Sequence, residues 1–193
     1  MANANLSWKE ALERLKVGNE RFVQDQLDGK LQDSNRRGAL TGGQHPYAII
    51  LSCADSRVVP ELAFDTGLGE IFVIRVAGNV ANTESIASIE YAVAHLGVNL
   101  IVVLGHESCG AVTAAIAGGD NGYNLNLLLS HVAPAVDAAG EGSDVNTVVK
   151  KNAQLTAEEL SYRSRIIKEA AEGGQLKILP GYYNLATGAV DYL

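Results

Sequence analysis

The sequence has little cysteine: Cys53 and Cys109 are the only two in 193 residues. A scaffold stapled by disulfides is therefore excluded. Positive charge is also short. Lys and Arg number 15 against 22 Asp and Glu, a formal charge of −7, so nothing draws the chain generally toward phosphate backbones and no nucleic-acid partner is expected. Long apolar runs are missing. Tyr47–Leu51 and Leu100–Leu104 are strand-sized, against the roughly 20 residues of a membrane span, so no membrane partner is expected. Residues 1–23 carry charges throughout and no apolar core of signal-peptide length, which makes cytoplasmic residence, with reduced thiols, the expectation. No repeat or linker divides the chain. The remainder, 47% hydrophobic and 19% charged, suits one domain over 1–193 in which residues 1–35 form a helical arm.

Within that domain the spacing predicts an α/β fold. Ser7-Trp8-Lys9-Glu10 reads as a capping box, and Leu12, Leu15, Val17, Phe22 and Val23 then form the stripe of an amphipathic helix. Such a stripe packs on its own core or on a partner subunit, and pattern alone does not choose. Residues 32–46 are polar and Gly-rich and read as a loop. Tyr47–Cys53, Ile71–Val76 and Leu100–Leu104 are short, nearly all-apolar runs, as strands buried on both faces are. Between the last two, Ile86, Ile89, Val93 and Leu96 recur at helical spacing, capped by Asn82 or Thr83 and closed by Gly97. Strand, helix, strand implies a parallel sheet. Residues 145–172 read as one long helix, 176–179 as a fourth strand, and 182–185 with 189–192 as a terminal hairpin. The expectation is a mainly parallel central sheet flanked by helices, with an N-terminal helical arm and a C-terminal hairpin.

Ligands of open parallel sheets bind beyond the carboxyl ends of the strands. The first strand is followed by Cys53-Ala54-Asp55-Ser56-Arg57, the third by Gly105-His106-Glu107-Ser108-Cys109-Gly110. Both cysteines and one histidine thus fall at one sheet edge. Two thiolates and an imidazole are a zinc set with an open fourth position, and thiolate favours zinc over magnesium or calcium. Taken singly, each cysteine reads as a small buried hydrophobe and His106 as a core histidine. A redox dithiol is a weaker rival, because Cys-x-x-Cys is missing. Arg57 can hold Asp55 by two parallel hydrogen bonds and keep it ionised. Such a carboxylate could orient an attacking water or ligate zinc itself. His45, His95 and His131 have no supporting pattern, and Gly118–Gly122 reads as a loop.

Cys53-x-Asp55-x-Arg57 followed by His106-x-x-Cys109 resembles the β-class carbonic anhydrases. Gly69–Arg75, Ser88–Val93 and Gly181–Gly188 extend the resemblance over most of the chain, with 118–152 its weakest part. It implies one Zn²⁺ per chain on Cys53, His106 and Cys109, and hydration of CO₂ to bicarbonate. It implies Asp55, oriented by Arg57, as acceptor for the nucleophilic water, and as a fourth zinc ligand in a closed state. Counting from Cys53, it places Gln44, Phe72 and Tyr91 around the substrate, with Gly110 offering a backbone N–H. Ile50 stands where the bacterial branch with a bicarbonate inhibitory pocket has tryptophan, so that pocket is not expected. Self-association as dimer or tetramer is implied, with the substrate pocket at the subunit interface. The alternatives are a COS or CS₂ hydrolase of the same fold, or a zinc-bound but inactive interaction protein.

Overall fold

The apolar runs become strands because helices cover both of their faces. The computed structural model describes residues 6–193. Along the chain its helices are α1 (Trp8–Val23), α2 (Ser34–Ala39), α3 (Pro60–Ala63), α4 (Thr83–Leu96), α5 (Gly110–Ala117), α6 (Tyr123–Ser130), α7 (Ala133–Ala139), α8 (Val145–Arg163) and α9 (Arg165–Glu172). Its strands are β1 (Ala48–Ser52), β2 (Ile71–Arg75), β3 (Leu100–His106), β4 (Lys177–Tyr183) and β5 (Val190–Tyr192), in the order β2-β1-β3-β4-β5. The first four run parallel and β5 runs antiparallel to β4. Alternation along each strand divides the core. Ile49, Leu51, Ile101 and Val103 pack under α4, α8 and α9 through Ile89, Leu160 and Ile167. Ala48, Ile50, Leu100, Val102 and Leu104 pack with Ala11 and Leu15 of α1 and with Phe64. No helix among the described residues is long and apolar enough to cross a membrane.

Local signals account for the ends of the elements. Ser7 and Glu10 form the expected capping box, Asn82 accepts from the Ser85 N–H at 2.8 Å, and Gly97 closes α4 at φ 65°. The face that α1 buries differs from the expected stripe. It consists of Ala11, Leu15, Gly18 and Asn19, while Val17 and Val23 are exposed. Gly18 lies so close to the Phe64 carbonyl that a Cβ there would meet its oxygen at 1.9 Å. Asn19 donates to the carbonyls of Ala63 and Gly188 and accepts from the Val190 N–H. Of the stripe, Leu15 packs on its own chain, with Leu12 and Phe22 partly buried beside it, while Val17 and Val23 do not.

Three further expectations are corrected. The loop over 32–46 contains α2, capped by Asp33; it buries no residue, so hydrophobic periodicity cannot reveal it. The helix over 145–172 breaks at Ser164, which caps α8 and α9 at once. Its hydroxyl donates to Glu90 at 2.6 Å and accepts from the Ile167 N–H, an alternative to the helical ladder. The fourth strand and the first half of the hairpin are one strand, β4, which runs through Pro180. The Pro180 carbonyl accepts from the Leu193 N–H beyond the β5 ladder. Its nitrogen faces that same free side, where a missing donor costs little.

Candidate metal centre

The strand order makes β1 the switch point of the sheet, since the chain moves to β2 on one side and then to β3 on the other. A crevice at the carboxyl ends of β1 and β3 follows from that topology. Cys53 directly follows β1, His106 ends β3, and Cys109 caps α5. Ser52 and Leu104 are paired across the two strands, so the three side chains converge. One ligand atom from each lies within 4.8 Å of the others, with Sγ of Cys53 and Cys109 3.9 Å apart. All three residues are buried.

The chemistry of this set fits zinc. His106 Nδ1 lies 2.9 Å from the Glu107 carbonyl, which places its proton there and leaves the lone pair on Nε2. Nε2 is buried and has no hydrogen-bond partner, a costly arrangement for a polar atom without a ligand. The hydrogen bond from Cys109, and the Gly78 N–H at 3.3 Å, pull the Cys53 thiol below its ordinary range. Cys109 is pushed up, because it donates to Cys53 and is buried. Zinc needs both as thiolates, and Cys109 is the one held protonated, so binding is expected to release protons. Calorimetric titration at pH 7 in buffers of different ionisation enthalpy measures this; release of none would contradict the thiol assignment.

Asp55 sits beside the cluster rather than within it. Arg57 holds it in a fork, Nε to Oδ1 at 2.9 Å and Nη2 to Oδ2 at 2.7 Å, and its own N–H adds a third bond to Oδ1. These bonds keep the carboxyl well below the usual carboxylate range. Asp55 Oδ2 lies 3.8 Å from His106 Nε2. Arg75, at the end of β2, donates to the carbonyls of Cys53 and Asp55 and so fixes the loop that carries both. Sequence reasoning gave Arg75 no role, because an arginine at a strand end reads as a solvated charge.

The remaining substrate candidates stand elsewhere in the chain. Phe72 and Tyr91 meet each other, ring centroids 6.5 Å apart, on the α4 side of the sheet. Phe72 pairs with Ile49, three positions before the end of β2. Gln44 is exposed and precedes β1, whereas Cys53 follows it; a strand of five residues, roughly 17 Å, lies between them. Among the described residues no hydrogen bond or ring contact joins these three to the cysteine pair. Gly110 opens α5, with open space where a side chain would stand. A cavity of about 630 Å³ lies at the amino edge of the sheet between Arg14, Tyr47 and Glu70.

Comparison with known proteins agrees with this geometry. The family model for carbonic anhydrase matches residues 48–190. Carbonic anhydrase 2 of Mycobacterium tuberculosis is 42% identical over 97% of this chain and 93% of its own length. The structure of the Coccomyxa β-carbonic anhydrase in complex with acetazolamide superposes with a TM-score of 0.76 at 30% identity, over 92% of this chain and 84% of that one. One of two tetrameric β-carbonic anhydrases from the ascomycete Sordaria macrospora shares the fold with a TM-score of 0.75 at 23% identity, over 95% of this chain and 97% of that one.

Proposed function

The chain belongs to the β-carbonic anhydrase family, and from that premise we propose how its residues divide the reversible hydration of CO₂ to bicarbonate and a proton. The observation that carries the reading is the buried Cys53–His106–Cys109 group with an orphaned imidazole nitrogen beside an Arg-held carboxylate. Zinc bound there supplies a Lewis acid that brings the pKa of a water toward neutrality. Asp55 Oδ2 faces the imidazole and accepts a hydrogen bond from the attacking water, orienting its lone pair toward CO₂. Arg57 keeps Asp55 ionised and fixes its plane. The Gly110 N–H, at the start of α5 where backbone donors are free, steadies an oxygen of the developing bicarbonate. A closed state with Asp55 on the metal requires the Arg57 fork to break first.

Stopped-flow CO₂ hydration, run in parallel with COS hydrolysis, tests the reading. Zinc-loaded protein is expected to hydrate CO₂ and the metal-free protein is not. Zinc-dependent turnover of COS alone would reassign the substrate, and zinc binding with neither activity would make the chain an interaction protein.

Gln44, Phe72 and Tyr91 serve the metal centre of a second copy. Their separation from the cysteine pair within one chain supports this, as does the tetrameric state named for the Sordaria enzymes. Each chain is a single domain whose expected 1–35 arm is carried by α1 and begins outside the described residues, and it assembles as a dimer or tetramer in the cytoplasm. Two buried, unpaired thiols suit that compartment. Co-assembly of Gln44→Ala with Cys53→Ser is expected to raise turnover per zinc above that of Gln44→Ala alone, because the surviving metal site then receives an intact Gln44 from its neighbour. Unchanged turnover per zinc in demonstrated mixed oligomers would place Gln44 in its own chain's site or in none.

A further inference from the structure

One helix reaches both halves of the ligand set. Asn152, in the middle of α8 and 2% exposed, donates from Nδ2 to the Gly78 carbonyl at 2.8 Å. Gly78 is the residue whose N–H points at Cys53 Sγ, in a turn with φ 71°. Six residues earlier, Asn146 Oδ1 accepts from the Ser108 N–H at 2.9 Å. Ser108 lies between His106 and Cys109 and holds φ 53°, a sparsely populated conformation for any residue but glycine. The helix end that carries Asn146 is itself fixed, since Asp144 accepts from the N–H groups of Asn146 and Thr147.

We propose that Asn146 and Asn152 are positioning residues of the metal centre. Asn152 sets the Gly78 N–H on the Cys53 sulfur, and Asn146 holds the Ser108 turn that spaces His106 Nε2 from Cys109 Sγ. The proposal rests on Cys53, His106 and Cys109 being the ligands. An N–H aimed at a buried thiolate stabilises its charge and lowers its electron density. A serine at positive φ is strained, so without its clamp the turn relaxes and the His–Cys spacing loosens. Groups that orient ligands in this way change metal affinity by about 10–100-fold.

The test titrates metal-free protein with Zn²⁺ against a competing chelator and with Co²⁺, reading the thiolate-to-cobalt absorption band, beside thermal unfolding without metal. Asn146→Ala is expected to lower zinc affinity about tenfold or more, and Asn146→Asp, which keeps an acceptor oxygen for Ser108, to recover most of that loss. Asn152→Ala is expected to lower affinity and to shift the cobalt band, since Cys53 loses its aimed donor. Asn146 is half-buried at a helix start, so its variants decide the matter even where Asn152→Ala does not fold. If Asn146→Ala alters only thermal stability, with zinc affinity and cobalt band as in the parent, α8 is mere packing and the proposal is overturned. Asn146→Asp binding as weakly as Asn146→Ala overturns it too. A folded Asn152→Ala with parental affinity and band removes its half. A parent that binds no zinc sinks the ligand assignment instead.

Discussion

Cys53→Ser is expected to remove zinc and CO₂ hydration together, with metal content falling from about one to below about 0.1 per chain and turnover by at least about a hundredfold. A serine hydroxyl does not ionise near neutral pH and is a harder donor than thiolate. The variant is left with one imidazole and one thiol, Cys109, fewer donors than the three protein ligands of a zinc site with an open position. The Gly78 N–H then meets a neutral hydroxyl in place of the sulfur. The fold is expected to survive. Cys53 packs in a separate cluster with Val80, Val112 and Val149, where serine is close to it in size, and outside the two cores around Ile49 and Leu51 and around Ile50 and Val102. Elemental analysis of zinc with stopped-flow hydration and far-ultraviolet circular dichroism measures all three properties. A folded variant that keeps zinc and turnover would show that the metal lies elsewhere.

Asp55→Asn separates holding the metal from using it. The side chain keeps its shape but loses its charge, and its amide nitrogen is a donor where the carboxylate only accepted. One oxygen remains to meet Arg57, so the fork loses one of its two bonds. Zinc is expected to stay near one per chain, because Cys53, His106 and Cys109 form the ligand group without Asp55. Turnover is expected to fall about a hundredfold through loss of the oriented acceptor. The pH profile carries the sign of the effect. Arg57 holds Asp55 below the usual carboxylate range, so in the parent the acceptor stays charged well into acid, and protonation of Asp55 does not shape the profile near neutrality. The loss in Asp55→Asn is therefore expected to be uniform across neutral pH. A loss confined to one limb of the profile would mean that Asp55 acts as a titrating base, and unchanged turnover would remove it from the reaction.

What sequence revealed and what it hid have physical causes. The strands were legible because β1 and β3 are apolar on both faces, a pattern that few other elements produce. The three metal ligands were legible because scarce residue types followed two such strands. α2 stayed hidden because it buries nothing, and the break at Ser164 because only a distant partner, Glu90, turns a serine into a stop. Arg75, Asn146 and Asn152 stayed hidden for the same reason. Each acts through a backbone group far along the chain, and no local spacing records that. Asp55 and Arg57 lie two residues apart, so their fork could be anticipated directly.

Asn19 ties the order of synthesis to the order of folding. Two of its three partners, Gly188 and Val190, are made about 170 residues after it, while the candidate ligand set is complete by residue 109. A growing chain has its whole ligand set long before its first helix can satisfy its buried amide, and until then that helix carries an unmet polar group. Gly188 and Val190 therefore act as a latch on α1. Loss of the chain from Leu185 onward would loosen that helix and would also free Glu107, whose carbonyl meets the His106 ring.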